Sequence, residues 1–210
     1  MNENNKYIAL TFDDGPNCTT TNDVLDVLER YGITASFFLV GNNINDQSAK
    51  AVKRAFDMGC EINSHSRTHS VMPELSDREI ISEMEFTAER IKEITGEEPP
   101  FFRPPYIAVD DRMYGIIDLP FICGKGAEDW EDHVSAEERT KRILSQAEDG
   151  LIILLHDMEG NFRTVEAIDS IIPALLEQGY TFTTVSGLFK AKNIKPKKGV
   201  LYSNVMLRDP

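Results

Sequence analysis

Residues 7–16 read Tyr7-Ile8-Ala9-Leu10-Thr11-Phe12-Asp13-Asp14-Gly15-Pro16, an apolar run followed by two adjacent carboxylates and a turn. The apolar run predicts a buried strand, and the Gly-Pro pair ends it. Side chains alternate between the two faces of a strand, so Asp13 and Asp14 serve one site only where the backbone leaves strand geometry. Such an arrangement suits one carboxylate that binds a metal ion beside one that takes a proton. An isolated Asp-Asp-Gly is more often a solvated turn, so the interpretation depends on the rest of the chain.

The size and charge of the chain exclude several classes of protein. The chain has 210 residues, enough for one sizeable core, and a net charge of −13. Nucleic-acid binding needs a basic surface, so this charge argues against it, and also against binding to anionic membranes. No segment approaches the roughly 18 apolar residues of a transmembrane helix. We therefore expect one domain over residues 1–210, with a core at about 7–189 and a basic tail at 190–210.

The N-terminal segment and the cysteines bear on location and assembly. Residues 1–6 are polar and lack the apolar core of a signal peptide, which predicts either a cytoplasmic protein or a domain of a longer secreted chain. Cys18, Cys60 and Cys123 form neither a disulfide framework nor a zinc-ribbon pattern, so we expect buried or incidental thiols. Nothing in the sequence indicates an oligomer, and a monomer is expected.

Short apolar runs alternate with helical patterns along the whole chain. Helices are predicted at 21–31, 46–58, 76–95, 135–147 and 163–178, and strands at 7–10, 35–40, 61–63, 101–102, 121–123, 151–155 and 180–185. Strands that are apolar on both faces and alternate with helices indicate parallel βα units. A small or incomplete (β/α) barrel fits this length better than a full eight-unit barrel of about 250 residues. An open doubly wound sheet is the alternative, but the polar clusters all follow strand ends, which favours the barrel.

Two of the four histidines, His65 and His69, follow the predicted strand at 61–63. We expect them to share one face of a helical turn, as positions i and i+4 do. A lone pair of this kind is more often a surface feature than a ligand pair. Together with Asp14 it offers two imidazoles and one carboxylate, which suits a catalytic zinc or a similar divalent ion.

Two further clusters also follow strands. His156 ends the apolar run at 151–155 and suits proton transfer, because the pKa of imidazole is near neutrality. In Arg103-Pro104-Pro105-Tyr106 the prolines stiffen the loop, and Tyr106 is the first residue after them with a free N–H for an oxyanion. Arg103 suits a bidentate pair with a carboxylate. Trp130 either walls a pocket or fills a core, and His133 is expected at the surface.

In order, these clusters resemble the motifs of the polysaccharide deacetylase family, also called carbohydrate esterase family 4 or the NodB-homology domain. The segment 11–16 is similar to the first motif, His65-Ser66-Arg67-Thr68-His69 to the second and Arg103-Pro104-Pro105-Tyr106 to the third. The run Ile152-Ile153-Leu154-Leu155-His156 resembles the fifth. The resemblance spans residues 7–189 and implies a distorted (β/α) barrel of the NodB type.

The resemblance also implies roles for individual residues. Asp14, His65 and His69 would bind the metal, most simply zinc, although cobalt, nickel or manganese suit the same ligands. Asp13 would be the general base, oriented by Arg103, and His156 the general acid. The Tyr106 N–H would help to hold the oxyanion. Leu154 and Trp130 would line the pocket for the acetyl methyl group.

The fourth motif departs from the family pattern Asp-x-x-Asp-Trp. The chain has Gly126-Ala127-Glu128-Asp129-Trp130, so Gly126 replaces the aspartate that tethers the arginine in the family. We expect Arg103 to be looser or held by another group, with an altered pH dependence or a lower rate. A compact fourth-motif region without this aspartate resembles that of a xylan-active branch of the family, the acetylxylan esterases.

The implied function is metal-dependent removal of acetate from an acetylated polysaccharide, by attack of a metal-activated water. O-deacetylation of acetylxylan is the first expectation, and N-deacetylation of chitin oligomers or peptidoglycan is the alternative. A carbohydrate-binding module with weakened catalysis is the alternative from another class, and a metal-dependent hydrolase of some other bond is a third. A polysaccharide substrate would imply a secreted domain of a longer chain.

Overall fold

The central strand of the fold is β1 (Lys6–Asp13), in a computed structural model that describes residues 5–206. It pairs in parallel with β2 (Ser36–Leu39), β5 (Ile152–His156) and β6 (Tyr180–Thr183). β3 (Glu61–Ser64) pairs in parallel with β2. The last six residues of β1 are buried, as expected of a parallel strand covered on both faces.

Isolated bridges continue the sheet from β3 round to β5. Phe102 bridges both Ser64 and Phe121, the first residue of β4 (Phe121–Ile122), and Lys125 bridges Ile153. The strands therefore enclose a distorted barrel, as the resemblance implied. The predicted strand at 101–102 was wrong in extent, because it contributes only bridges at Phe102. Pro104 and Pro105 follow it and have no N–H with which to continue a ladder.

Seven α-helices are present within residues 5–206. They are α1 (Thr20–Tyr31), α2 (Ser48–Asp57), α3 (Asp77–Thr95), α4 (Asp111–Ile116), α5 (Ala136–Gln146), α6 (Phe162–Glu177) and α7 (Val185–Ala191). A capping box begins α3, since the Ser76 hydroxyl accepts from Glu79 N and the Glu79 carboxylate accepts from Ser76 N. A cap of this kind stabilises a helix by about 1 kcal/mol. No helix in this part of the chain is long and apolar enough to cross a membrane.

Three elements were not predicted, namely α4, α7 and β7 (Leu201–Tyr202). The strand predicted at 180–185 ends at Thr183, because the Thr184 side chain accepts from Gly187 N and begins α7. In the basic tail, β7 pairs in parallel with β4, and Asn204 bridges Leu151. The tail therefore packs against the barrel up to this point.

The alternation along β1 places the site. Ile8, Leu10 and Phe12 belong to the apolar cluster that also contains the buried faces of α1 and α6. Ala9 belongs to a second cluster, with Phe38, Ile122 and Ile152. Asp13 lies on the same face of β1 as Ala9 and Thr11, because strand side chains alternate. It therefore stands at the carboxyl end of the barrel, with its side chain in the interior.

Candidate active site

Asp13 and Asp14 reach one site because the backbone leaves strand geometry between them. Asp13 is the last residue of β1, and Asp14 has a left-handed φ of 74°. The side chain of Asp14 therefore turns toward the interior, beside that of Asp13. A left-handed residue other than glycine costs on the order of 1–2 kcal/mol. The backbone therefore leaves strand geometry at Asp14, as a shared site for Asp13 and Asp14 requires.

Asp14, His65 and His69 come together at the end of β1 and β3. One ligand atom from each residue lies within 4.8 Å of the others. Asp14 Oδ1 is 3.6 Å from His65 Nε2 and 3.3 Å from His69 Nε2. His65 Nδ1 donates to the carbonyl of Arg103 at 2.7 Å, which fixes the tautomer and turns Nε2 toward Asp14. Histidines that bind a metal through one ring nitrogen usually donate the N–H of the other to such an acceptor.

The two histidines lie in a loop and not on a helical turn, so that expectation was wrong. Ser66 and His69 have φ values of 65° and 59°, which lie outside the right-handed α-helical region. The carbonyl of Ser66 accepts from Gly41 N instead of from a residue further along its own segment. The rings nevertheless meet at 4.8 Å between centroids, because the loop folds back on itself.

The chemistry of these three residues fits a divalent ion. Asp14 Oδ1 is buried and has no hydrogen-bond partner among residues 5–206, a condition that normally requires a bound water or ion. Burial lowers the pKa of His65 to about 3, so its imidazole is neutral and able to act as a ligand. Two neutral nitrogens and one carboxylate form a donor set for catalytic zinc and related ions.

Arg103 is fully buried and held firmly, although residue 126 is glycine. Its guanidinium donates to Asp13 Oδ1 at 2.5 Å, to the carbonyl of Cys123 at 2.7 Å and to that of Ile122 at 3.4 Å. Of the two expectations, a looser arginine is therefore wrong, and one held by other groups is confirmed. Burial raises the pKa of Asp13, while the charge of Arg103 acts in the opposite direction.

His156 is held by Asp129, a residue that the sequence analysis did not single out. Asp129 is fully buried, and its Oδ1 lies 2.8 Å from His156 Nδ1, while its Oδ2 accepts from His156 N at 2.8 Å. Burial acts to lower the pKa of His156, but the hydrogen bond and charge of Asp129 outweigh it and raise the pKa to about 9. The available signal was the position of Asp129 directly before Trp130 in the fourth motif.

A cleft of about 620 Å³ opens above these groups. Every predicted site residue except Arg103 lines it. Tyr106 lines it beside His69, with 4.6 Å between their ring centroids, and Trp130 lines it beside His156, with 5.3 Å between theirs. Both aromatic residues are exposed, at 67% and 50%. Trp130 therefore walls the cleft instead of filling the core.

Tyr106 and Leu154 both line the cleft. Tyr106 has a φ of 57°, and within residues 5–206 no acceptor receives its N–H. Leu154 and Gly126 lie side by side, since a Cβ at Gly126 would stand 3.1 Å from the Leu154 carbonyl oxygen. Cys60 is buried and Cys18 is exposed, and His133 is exposed, as expected.

The sequence is similar to known polysaccharide and peptidoglycan deacetylases. The family model described as polysaccharide deacetylase matches residues 1–118. A bifunctional xylanase/deacetylase of Pseudobutyrivibrio xylanivorans is 50% identical over 204 residues, which are 97% of this chain and 34% of that protein. The peptidoglycan-N-acetylmuramic acid deacetylase PdaC of Bacillus subtilis is 36% identical over 94% of this chain and 42% of its own length. The chain thus spans between a third and a half of these two relatives.

Two solved structures share the fold over nearly their whole length. The Xyl-CE4 domain of a multidomain xylanase from the hindgut metagenome of Trinervitermes trinervoides has a TM-score of 0.94 at 50% identity, covering 97% of this chain and 99% of that one. A family 4 acetyl xylan esterase from Clostridium thermocellum, in complex with a cobalt ion, has a TM-score of 0.93 at 38% identity, covering 96% and 100%. The chain therefore belongs to the polysaccharide deacetylase family, a family of hydrolases.

Proposed function

We propose that this chain removes acetate from an acetylated polysaccharide in a metal-dependent reaction, with O-acetylated xylan as the substrate. The observation that carries the proposal is the cleft in which Asp14, His65 and His69 face Asp13 and His156. The similarity to a xylanase/deacetylase and to an acetyl xylan esterase supports xylan as the polysaccharide. The proposed reaction involves neither nucleic acid nor a membrane.

Asp14, His65 and His69 would hold the ion, with zinc as the first candidate and cobalt as a second. A divalent ion bound there would lower the pKa of water and polarise the acetyl carbonyl. Asp13 takes the proton from the attacking water, and its carboxylate is kept in place by Arg103. The Tyr106 N–H donates to the oxygen on which negative charge develops.

His156 completes the reaction as the proton donor. Asp129 binds its Nδ1, so Nε2 is the nitrogen left to serve the cleft. The raised pKa keeps the imidazole protonated at neutral pH, ready to give its proton to the sugar oxygen as the bond to the acetyl carbon breaks. The sugar leaves with a free hydroxyl, and acetate is released. Trp130 and Leu154 hold the acetyl methyl group.

Removal of an N-acetyl group is the second candidate. The similarity to a peptidoglycan deacetylase favours it, because the same groups serve an amide when the leaving nitrogen receives the proton. The two reactions differ in how strongly the leaving atom needs protonation, and His156 would supply the proton in both.

The test is acetate release from acetylated xylan, chitin oligomers and peptidoglycan, measured side by side with zinc- or cobalt-loaded protein and a chelated control. We expect metal-dependent release from xylan. Release from chitin or peptidoglycan alone would move the chain to the N-deacetylases. Binding of these polymers with no acetate from any of them would replace the enzymatic proposal by a binding module.

A second prediction concerns the pH profile. Replacing Asp129 with asparagine should move the alkaline limb of kcat/KM to lower pH, because Asp129 raises the pKa of His156. The acid form of His156 is present below that pKa and lost above it, so a lower pKa ends activity sooner as the pH rises. The measurement is acetate release from neutral to strongly alkaline pH. Asp132→Asn is the control, since Asp132 is exposed in the same loop. An unchanged limb in Asp129→Asn would contradict the assignment.

A further inference from the structure

Two of the three proposed metal ligands, Asp14 and His69, have a left-handed backbone conformation. Asp14 has a φ of 74° and His69 one of 59°, and side chains other than glycine rarely adopt this region. Neither conformation follows from the residue's own preference, so the surrounding structure imposes it. The source of that constraint is visible in the backbone hydrogen bonds of each loop.

The His65–His69 loop is pinned from α3 by Glu83. This carboxylate is buried at 8% exposure, and its Oε2 accepts from both Arg67 N and Thr68 N at 2.8 Å. Its Oε1 accepts from the Thr68 hydroxyl at 2.9 Å. The three bonds end at Arg67 and Thr68, the two residues directly before His69.

Further hydrogen bonds from residues 41–42 and within the loop satisfy its backbone. The carbonyls of Ser66 and Arg67 accept from Gly41 N and Asn42 N. His69 N donates to the Ser66 hydroxyl. Without the Glu83 carboxylate, the two N–H groups before His69 would have no protein acceptor, and the loop would relax toward one.

The Asp14 loop is pinned in the same manner by Asp157. This carboxylate is fully buried, and its Oδ1 accepts from Gly15 N at 3.1 Å, directly after Asp14. Its Oδ2 accepts from the hydroxyl of Thr21, on α1, at 2.5 Å. A Cβ on Gly15 would lie 2.5 Å from Asp157 Oδ2, so only glycine allows this approach.

We infer that Glu83 and Asp157 are positioning residues that preset the metal centre, each by holding the backbone beside one left-handed ligand. Neither carboxylate lines the cleft, so neither touches the substrate. The inference rests on the proposed metal site and extends it to two residues outside the ligand set. Its alternative is that both carboxylates only stabilise the fold.

The chain offers two matched controls for that alternative. Glu61 accepts from Ser36 Oγ, Asn63 Nδ2 and Ser186 N at the amino end of β3. Asp149 accepts from Tyr7 N, near the start of β1, and from Lys192 Nζ. Both carboxylates tie distant backbone together, as Glu83 and Asp157 do, but at the end of the barrel away from the cleft.

The experiment measures cobalt and zinc affinity by competition with a chelator, the visible spectrum of bound cobalt, and urea unfolding of the metal-free protein. The variants are E83A, E83Q, D157A and D157N, with E61A and D149A as controls. We expect E83A and D157A to weaken metal affinity about 10- to 100-fold, the range for residues that orient metal ligands. Both variants should also alter the spectrum of bound cobalt. E83Q and D157N should stay close to the wild type, because an amide oxygen still accepts the backbone N–H. E61A and D149A should lose stability with unchanged affinity.

The inference is overturned if E83A and D157A lose stability as the controls do while their affinity and cobalt spectrum match the wild type. Should an alanine variant fail to fold, E83D and D157S shorten the reach of the polar group and are judged by the same two readouts. A wild-type protein that binds neither cobalt nor zinc would instead refute the metal site itself. That result differs from failure of the inference, which needs a wild type that binds.

Discussion

Replacing His69 with alanine is expected to abolish both metal binding and acetate release. Catalytic zinc sites use three protein ligands, and this change leaves only Asp14 and His65. His69 is partly exposed and lies in a loop, so the variant should fold. Metal content after loading and dialysis, together with acetate release, gives the measurement. A chelator should produce the same loss in the wild type, reversed by added zinc or cobalt.

His133→Ala is the matched control for this prediction. His133 is exposed and lies outside the cleft, so its loss should change neither metal content nor rate. Full turnover by His69→Ala at normal metal content would remove His69 from the ligand set. Normal turnover of the chelated wild type would remove the metal from the reaction altogether.

Replacing Asp13 with asparagine is expected to lower kcat for acetate release by about 10²- to 10⁴-fold, the usual contribution of a positioned general base. The amide has the shape of the carboxylate and still accepts from Arg103 through its oxygen, but it has little basicity. Metal affinity should remain, because the ligand atoms belong to other residues. The measurement is kcat with saturating substrate, alongside cobalt binding.

Measuring kcat and cobalt binding together shows whether Asp13 acts as a general base or as a metal ligand. If Asp13→Asn lost its metal along with its rate, Asp13 would be acting at the ion. A rate within a few-fold of the wild type would contradict its role as base. Asp149→Asn, beside the opposite end of β1, is the control for removing a partly buried carboxylate that accepts a backbone hydrogen bond, and its kcat should be unchanged.

Much of the fold could be predicted because its signals are local. The apolar run at 151–155 and the capping box at Ser76 each depend on residues within a few positions, and both elements are present. The site residues could be found for a related reason. They follow the strands, and parallel strands bring their carboxyl ends to one edge. The cleft contains all of these residues except Arg103, which reaches it through Asp13.

The remainder depends on partners far apart in sequence. The spacing of His65 and His69 predicts a shared helical turn, but their loop is shaped by Glu83 and by backbone groups of residues 41–42. Asp129 binds His156 across 27 positions, a pairing that no periodicity reveals. β7 is only two residues long and exists because β4 is beside it.

The register between β1 and β5 has a consequence for the evolution and redesign of this fold. Asp13 lies opposite His156 on neighbouring parallel strands, whose spacing of about 4.8 Å is set by the backbone. Tyr106, in contrast, comes from a short 3-10 turn and Trp130 from a loop, both outside the strands and α-helices of the barrel. The proposed base and acid are thus insulated from changes at the rim, and loops exchanged between relatives can alter the accepted sugar while the reacting pair keeps its separation.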